Sequence, residues 1–202
     1  MDPGGLLSAA ARAELCARAE RAVEALGCGG EVRVKVIGDE EMAAAHVRYS
    51  GVEGTTDVLT FDLADGGAAK GEPLDVDIFV CVDEARRRGA ELGHEVEREL
   101  LLYVVHGVLH CLGHDDHDEA AYAKMHARED EVLRAIGVGA VFAPEGGAGT
   151  EGCSACEDRR PKGPDGSSDT NQWQKPLATI VRPSGAKTPE TASESGSGKE
   201  RA

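Results

Sequence analysis

Four histidines stand within twelve residues, at positions 106, 110, 114 and 117, beside Asp115, Asp116 and Asp118 and across Gly113. His106 and His110 are four apart. On a helix that spacing puts both imidazoles on one face, one turn apart, where both can reach a single zinc ion. Gly113 reads as the end of that helix, because glycine readily takes the left-handed backbone found just past a helix terminus. The turn brings the following residues back toward the pair, so a third donor is expected among them. Three nitrogen or oxygen ligands leave a fourth position for water, which separates catalytic zinc sites from closed structural ones. Zinc lowers the pKa of such a water to about 7 and can polarise a phosphoryl oxygen. A single histidine is most often a satisfied core side chain or a solvated one; four together, with three acids and a helix-breaking glycine, read as a metal site.

The residue after the first histidine narrows the chemistry. Zinc peptidases of the HExxH type carry their general base there as glutamate. Here the position is Gly107, so peptide hydrolysis lacks its usual proton acceptor. A zinc peptidase or amidohydrolase is the weaker enzymatic alternative, and a purely structural zinc is the blander one.

The elements that must position these residues follow from hydrophobic period. Leu6 to Leu26 recurs at 3–4 residue spacing, as an amphipathic helix does, and Gly27 to Gly30 stops it. Glu31 to Ile37 alternates as a half-buried strand. Asp39 is placed as the N-cap of a helix running to about Tyr49. Val58 to Leu63 and Val76 to Val82 are two more strands, the second apolar enough to be central. Asp65 to Pro73 reads as a turn between them, and Asp83 as the cap of a helix through Ala90. Glu95 to about Leu112, with Val96, Leu100, Val104, Leu109 and Leu112 among its buried positions, is the long helix that carries the histidine pair. A last helix covers roughly Asp118 to Ile136. The fold class is α+β: a small mixed sheet against several helices, with the histidine-bearing helix at the core in the manner of zincins.

Residues 1–144 form the folded domain. From 145 to 202 glycine, serine, proline and threonine dominate, periodicity disappears, and the segment reads as a disordered low-complexity tail. Its Cys153 and Cys156 form a lone CxxC, weak as a zinc or redox signal. Cys16, Cys28, Cys81 and Cys111 stand singly and read as small buried hydrophobes in a reducing compartment. The N-terminus has no basic region followed by an apolar run, and no stretch approaches the roughly 20 apolar residues of a membrane span. A cytoplasmic protein without a membrane partner is expected.

The formal charge is −15, and the segment from Gly146 on carries 8 acidic and 8 basic residues, so the whole imbalance belongs to the residues before it. That argues against a broadly basic nucleic-acid footprint. A bound dication would reverse the potential locally.

Several segments together resemble a known family. HGVLHCLGHDD, from His106 to Asp116, is similar to the HGxLHLxGyDH signature of YbeY endoribonucleases. Tyr49 to Phe61 (YSGVEGTTDVLTF) resembles that family's YRGxDxPTDVLSF stretch. Leu74 to Ile78 with Asp83 to Arg86, and Gly93-His94 with Glu97 to Leu100, match in the same order. The resemblance runs from about Glu31 to Ile136. It implies a metal-dependent hydrolase that cuts single-stranded RNA in ribosomal RNA maturation and ribosome quality control. One zinc ion per chain, ribosomal RNA precursors and the small subunit or its assembly factors as partners, and no DNA, are what it further implies.

The chain departs from the pattern twice. The family's third ligand is a histidine ten residues after the first; here that position is Asp116, and His117 follows it. His117 is preferred as third ligand, through one inserted residue in the turn, with Asp116 as the alternative and His114 a distant third. Ser50 stands where the family carries arginine, whose planar guanidinium suits phosphate. Arg48 is a weak substitute for it. His106 and His110 are thus the expected catalytic residues through the metal-bound water, and a ribose 2′-hydroxyl is the other nucleophile left open. Asp57 and Thr56 are placed near the site or in a local cap, and His94, Arg98 and His126 as candidates for RNA contact. A ribosome-associated binding factor with little catalysis remains the non-enzymatic alternative.

Overall fold

A computed structural model of the protein describes Asp2 and residues 4–64, 73–142 and 178–181. The chain runs α1 (Ala9–Ala25), β1 (Gly30–Ile37), α2 (Asp39–Ser50), β2 (Val58–Asp62), β3 (Leu74–Cys81), α3 (Val82–Leu92), α4 (Val96–Cys111), α5 (Glu119–Ala135) and β4 (Ala178–Val181). The fold is α+β, as the pattern of strands and helices predicts.

The sheet order is β1-β3-β2-β4. β3 is central: it pairs in parallel with β1 and antiparallel with β2, with Val34 and Thr60 both opposite Ile78. Its period-two burial explains the packing. Leu74, Val76, Ile78 and Val80 are fully covered and belong to the main core beside α4, whereas Asp75, Asp77 and Phe79 point to the other face. On that second face α2 covers a smaller cluster made of Ile37, Met42, Ala45, Leu59 and Cys81.

α4 is the axis of the domain. Every residue from Glu99 to Cys111 is buried, because the helix lies on β2 and β3 and is flanked by α1, α3 and α5. A periodic apolar stripe was expected there; all-round burial is the outcome for a helix enclosed on every side. Fully burying Leu100, Leu101 and Leu109 contributes about 1.5–3 kcal/mol each. The histidine pair therefore sits on the best-anchored element of the fold.

Two caps differ from expectation. Gly38, not Asp39, is the N-cap of α2, and it offers no side chain. Asp83, expected to cap its own helix, instead accepts from the Asp39 backbone N–H through Oδ2 at 3.0 Å. One helix thus caps its neighbour and ties α2 to α3 across the sheet edge. α1 begins at Ala9 because Ser8 Oγ accepts from Ala11 N, while the Leu6 and Leu7 amides donate to Asp2.

Cys81 and Cys111 are buried as expected, but Cys16 is exposed on α1 and Cys28 is only half-covered. The expected turn at 65–72, the CxxC and most of the segment read as a tail lie outside the described residues. Within that segment, Ala178–Val181 is described as β4, parallel to β2 with Ile180 opposite Thr60. No helix among the described residues is long and apolar enough to cross a membrane.

Candidate metal centre

His106 and His110 project from successive turns of α4 with their Nε2 atoms 3.0 Å apart and their rings nearly perpendicular. The helix then closes as its sequence predicts. Gly113 takes φ 91°, its N–H bonds His110 O at 2.9 Å, and the His114 N–H reaches back to Leu109 O at 3.0 Å. These are the paired bonds of a Schellman end. They fix the path of the next residues and return Asp116 to the pair. Its Oδ2 lies 3.8 Å from His106 Nε2 and its Oδ1 3.7 Å from His110 Nε2, and all three residues are buried.

His117 takes a different place. Its side chain is 76% exposed, its Nδ1 meets the Asp115 carboxylate, and it is 3.8 Å from Asp116 Oδ1. Of the two candidates for third donor, Asp116 is the one brought to the imidazole pair. The chain from Gly113 brings Asp116, the tenth residue after His106, to the pair. His114 contributes its backbone carbonyl, 3.1 Å from His110 Nδ1, while its own ring is half-exposed.

Hydrogen bonds fix the tautomers. A carboxylate and a carbonyl only accept, so the Nδ1 atoms of both rings carry their protons: His106 donates to Glu129 Oε1 at 2.6 Å and His110 to His114 O. Both Nε2 atoms then present lone pairs to one another and to Asp116. No donor among the described residues reaches Asp116 Oδ1, although that atom is buried. Three electron-pair donors facing one another without a proton between them call for a cation. The 3.0 Å between the imidazoles, and the 3.8 and 3.7 Å from His106 and His110 to the two separate oxygens of Asp116, lie either side of the ~3.3 Å separation of donors at tetrahedral zinc bonds of about 2.0–2.1 Å. The donor set fits zinc. Protonating His110 is a poor substitute, since burial above all, and repulsion from any proton added to His106, hold its pKa below the ordinary value.

A family model described as Endoribonuclease YbeY matches residues 8–137. The chain belongs to the YbeY family. Among curated relatives, the Endoribonuclease YbeY of Roseiflexus sp. is 40% identical over 114 residues, covering 54% of this chain and 71% of that protein. The Moorella thermoacetica Endoribonuclease YbeY is 34% identical over 128 residues, covering 60% and 82%. A solution structure of a Thermotoga maritima protein aligns over 63% of this chain and 84% of its own at 25% identity, with a TM-score of 0.45.

Around the centre of this YbeY chain the other singled-out residues fall into distinct places. Arg48 is exposed at the end of α2, its guanidinium 5.3 Å from the Tyr49 ring centre, and Ser50 Oγ is buried without a partner among the described residues. His94 is tied to buried Glu99 at 2.7 Å, and Arg98 to Ala140 O. His126 is buried, which removes it from RNA contact, and donates to Glu129 Oε2 at 2.5 Å. Glu129 itself is absent from the sequence reading. Burial pushes its carboxyl up, but the hydrogen bonds from His106 and His126 outweigh that and hold it below the ordinary value. The one local signal was the His126-x-x-Glu129 spacing on α5.

Asp57 takes the capping role and lies within electrostatic reach of the site. Its Oδ1 accepts from Thr56 Oγ1 at 3.0 Å and from Val58 N at 2.9 Å. Full burial pushes its pKa up to about 7, against the pull of the His106 charge and those hydrogen bonds. A carboxyl raised in the folded state stabilises fully below its unfolded value of 3.8 and loses that contribution as pH rises toward 7. In chelator-treated protein, Asp57→Asn is therefore expected to match the native chain at pH 4. At pH 8 it should exceed it by on the order of 2–4 kcal/mol in urea unfolding. A native chain that gains stability relative to Asp57→Asn between those pH values would contradict this burial cost.

Proposed function

We propose that this protein is a zinc-dependent endoribonuclease that hydrolyses phosphodiesters of single-stranded RNA, working in the cytoplasm on ribosomal RNA precursors. The observation that carries the proposal is the buried convergence of His106 Nε2, His110 Nε2 and the Asp116 carboxylate, with both Nδ1 protons committed elsewhere. It stands within a signature shared with proteins named Endoribonuclease YbeY. His106, His110 and Asp116 hold one ion per chain, and His117 stays outside that set. When bound, zinc supplies Lewis acidity toward a phosphoryl oxygen and activates a nucleophile near neutral pH.

The chain's own residues do the rest. Glu129 and the His114 carbonyl fix the two ring orientations. α4 excludes water from one side of the site, and the −15 charge of the chain makes a dication the local attractor for phosphate. Peptidase chemistry is disfavoured by position 107: a side chain there would occupy the space of Thr60 on β2.

The full-length protein is expected to cut unstructured RNA and to leave unstructured peptide intact, with cleavage lost to a chelator and restored by zinc. Peptide cleavage, or RNA cleavage indifferent to the chelator, would sink the proposal. Ser50 in place of a phosphate-binding arginine favours one second reading, a small-subunit assembly factor that binds RNA without cutting it. A His110→Ala chain that still restores ribosome maturation in a deletion strain would support that reading instead.

A further inference from the structure

His106 is held from behind by two residues of α5. Its Nδ1–H donates to Glu129 Oε1 at 2.6 Å, and the other carboxylate oxygen of Glu129 accepts from His126 Nδ1 at 2.5 Å. His106, Glu129 and His126 are 1%, 0% and 4% exposed, so solvent competes for none of these bonds. With both oxygens engaged, the carboxylate cannot rotate about its last bond without breaking one of them.

The far end is also fixed. The His126 ring lies 3.7 Å from the Phe142 ring centre, tilted by 33°, and meets Tyr122 edge-on at 4.0 Å. Its Nε2 is buried with no partner among the described residues, leaving Nδ1 as the atom that anchors the ring. The Nδ1 of His110, by contrast, meets the backbone carbonyl of His114. A carboxylate behind an imidazole raises its basicity toward a metal, and a neutral carbonyl does so less.

Resting on the reading of His106 as a ligand, we propose that Glu129 and His126 are positioning residues. Glu129 fixes the tautomer and aim of His106, His126 fixes Glu129, and together they set the affinity of the centre for its ion. His126 thus acts on the metal from the second residue outward and touches neither ion nor substrate.

Zinc competition against a chromophoric chelator, on the full chain, tests this without recourse to activity. Glu129→Gln keeps the shape and an acceptor for His106 but loses the charge, and is expected to bind zinc ~10–100-fold more weakly. His126→Leu removes the donor while filling the space beside Phe142 and Tyr122; it is expected to weaken zinc by about tenfold. His126→Asn, which restores a donor near the Nδ1 position, recovers most of that loss. Long-range 15N spectra of metal-free protein should show His106 as the Nδ1–H tautomer in the native chain and a mixture in Glu129→Gln. Circular dichroism reports folding in parallel, and if Glu129→Gln fails to fold, the two His126 variants decide. Zinc affinities of folded Glu129→Gln and His126→Leu within about twofold of native would overturn the inference. So would a His126→Asn chain as weak as His126→Leu. A native chain that takes up no zinc fails the metal reading itself, a result distinct from variants that match a zinc-binding native protein.

Discussion

Replacing His110 by alanine is expected to bring RNA cleavage to background and to weaken zinc binding by more than ~100-fold, beyond the loss typical of an outer-sphere partner. The ring supplies one of three donors, and its removal leaves a buried imidazole and a carboxylate 3.8 Å apart, too few to hold an ion tightly at neutral pH. Thermal unfolding separates a lost ion from a lost fold. In the native chain zinc is expected to stabilise by mass action, by about 4 kcal/mol at a thousandfold excess over its dissociation constant, and to raise the melting temperature. His110→Ala should show no such rise. Its metal-free stability should stay close to native, because the substitution also relieves two lone pairs facing each other at 3.0 Å. A His110→Ala protein that melts higher with zinc, or that cuts RNA at the native rate, would refute His110 as a ligand.

Gly107 yields the second large effect, and its sign runs against helix propensity. Exchanging glycine for alanine inside an exposed helix gains about 1 kcal/mol. Here a Cβ would fall inside 3.0 Å of Thr60 Oγ1 and at 3.4 Å from Ile78 Cδ1. α4 cannot retreat from β2, since α1, α3 and α5 close its other sides. Overpacking of this kind costs ~1–3 kcal/mol, so Gly107→Ala is expected to lower the urea midpoint. Gly107→Glu, which recreates the HExxH pattern, would force a carboxylate into the same space. It is expected to cost ~4 kcal/mol or more and to confer no peptidase activity. An alanine variant with a raised midpoint would show that the sheet and helix have room that their packing denies.

The histidine pair, the glycine that ends its helix and the sheet that supports it were legible because each depends on local spacing. A spacing of four, with three residues between His106 and His110, settles a shared helix face. Gly113 announces the left-handed turn, and the apolar run of Val76 to Val82 marks the central strand. What escaped depends on exact register within a turn or on distant pairing. The choice between Asp116 and His117 turns on one residue of register, set by the bonds from Gly113 and His114 back into the last turn. No composition rule supplies that. Glu129 comes from a different helix, 23 residues beyond His106, and its spacing from His126 does not say that it faces the His106 ring. Asp83 likewise caps a helix 44 residues earlier, a pairing that only the assembled sheet brings about. His126 reads from the sequence as a candidate for RNA contact, and its burial escapes that reading. Its burial follows from Phe142, which folds over it from beyond the end of α5.

The three donors do not share one mechanical footing. His106 and His110 ride on a helix buried from Glu99 to Cys111, whose amides are expected to exchange with solvent only when the whole domain opens. Asp116 rides on the short link between Gly113 and Asp118, flanked by exposed Asp115 and His117, where local excursions cost far less. An ion in this centre would thus have two permanent moorings and one detachable one. Its residence time would be governed by the breathing of a six-residue link rather than by the global stability of the protein.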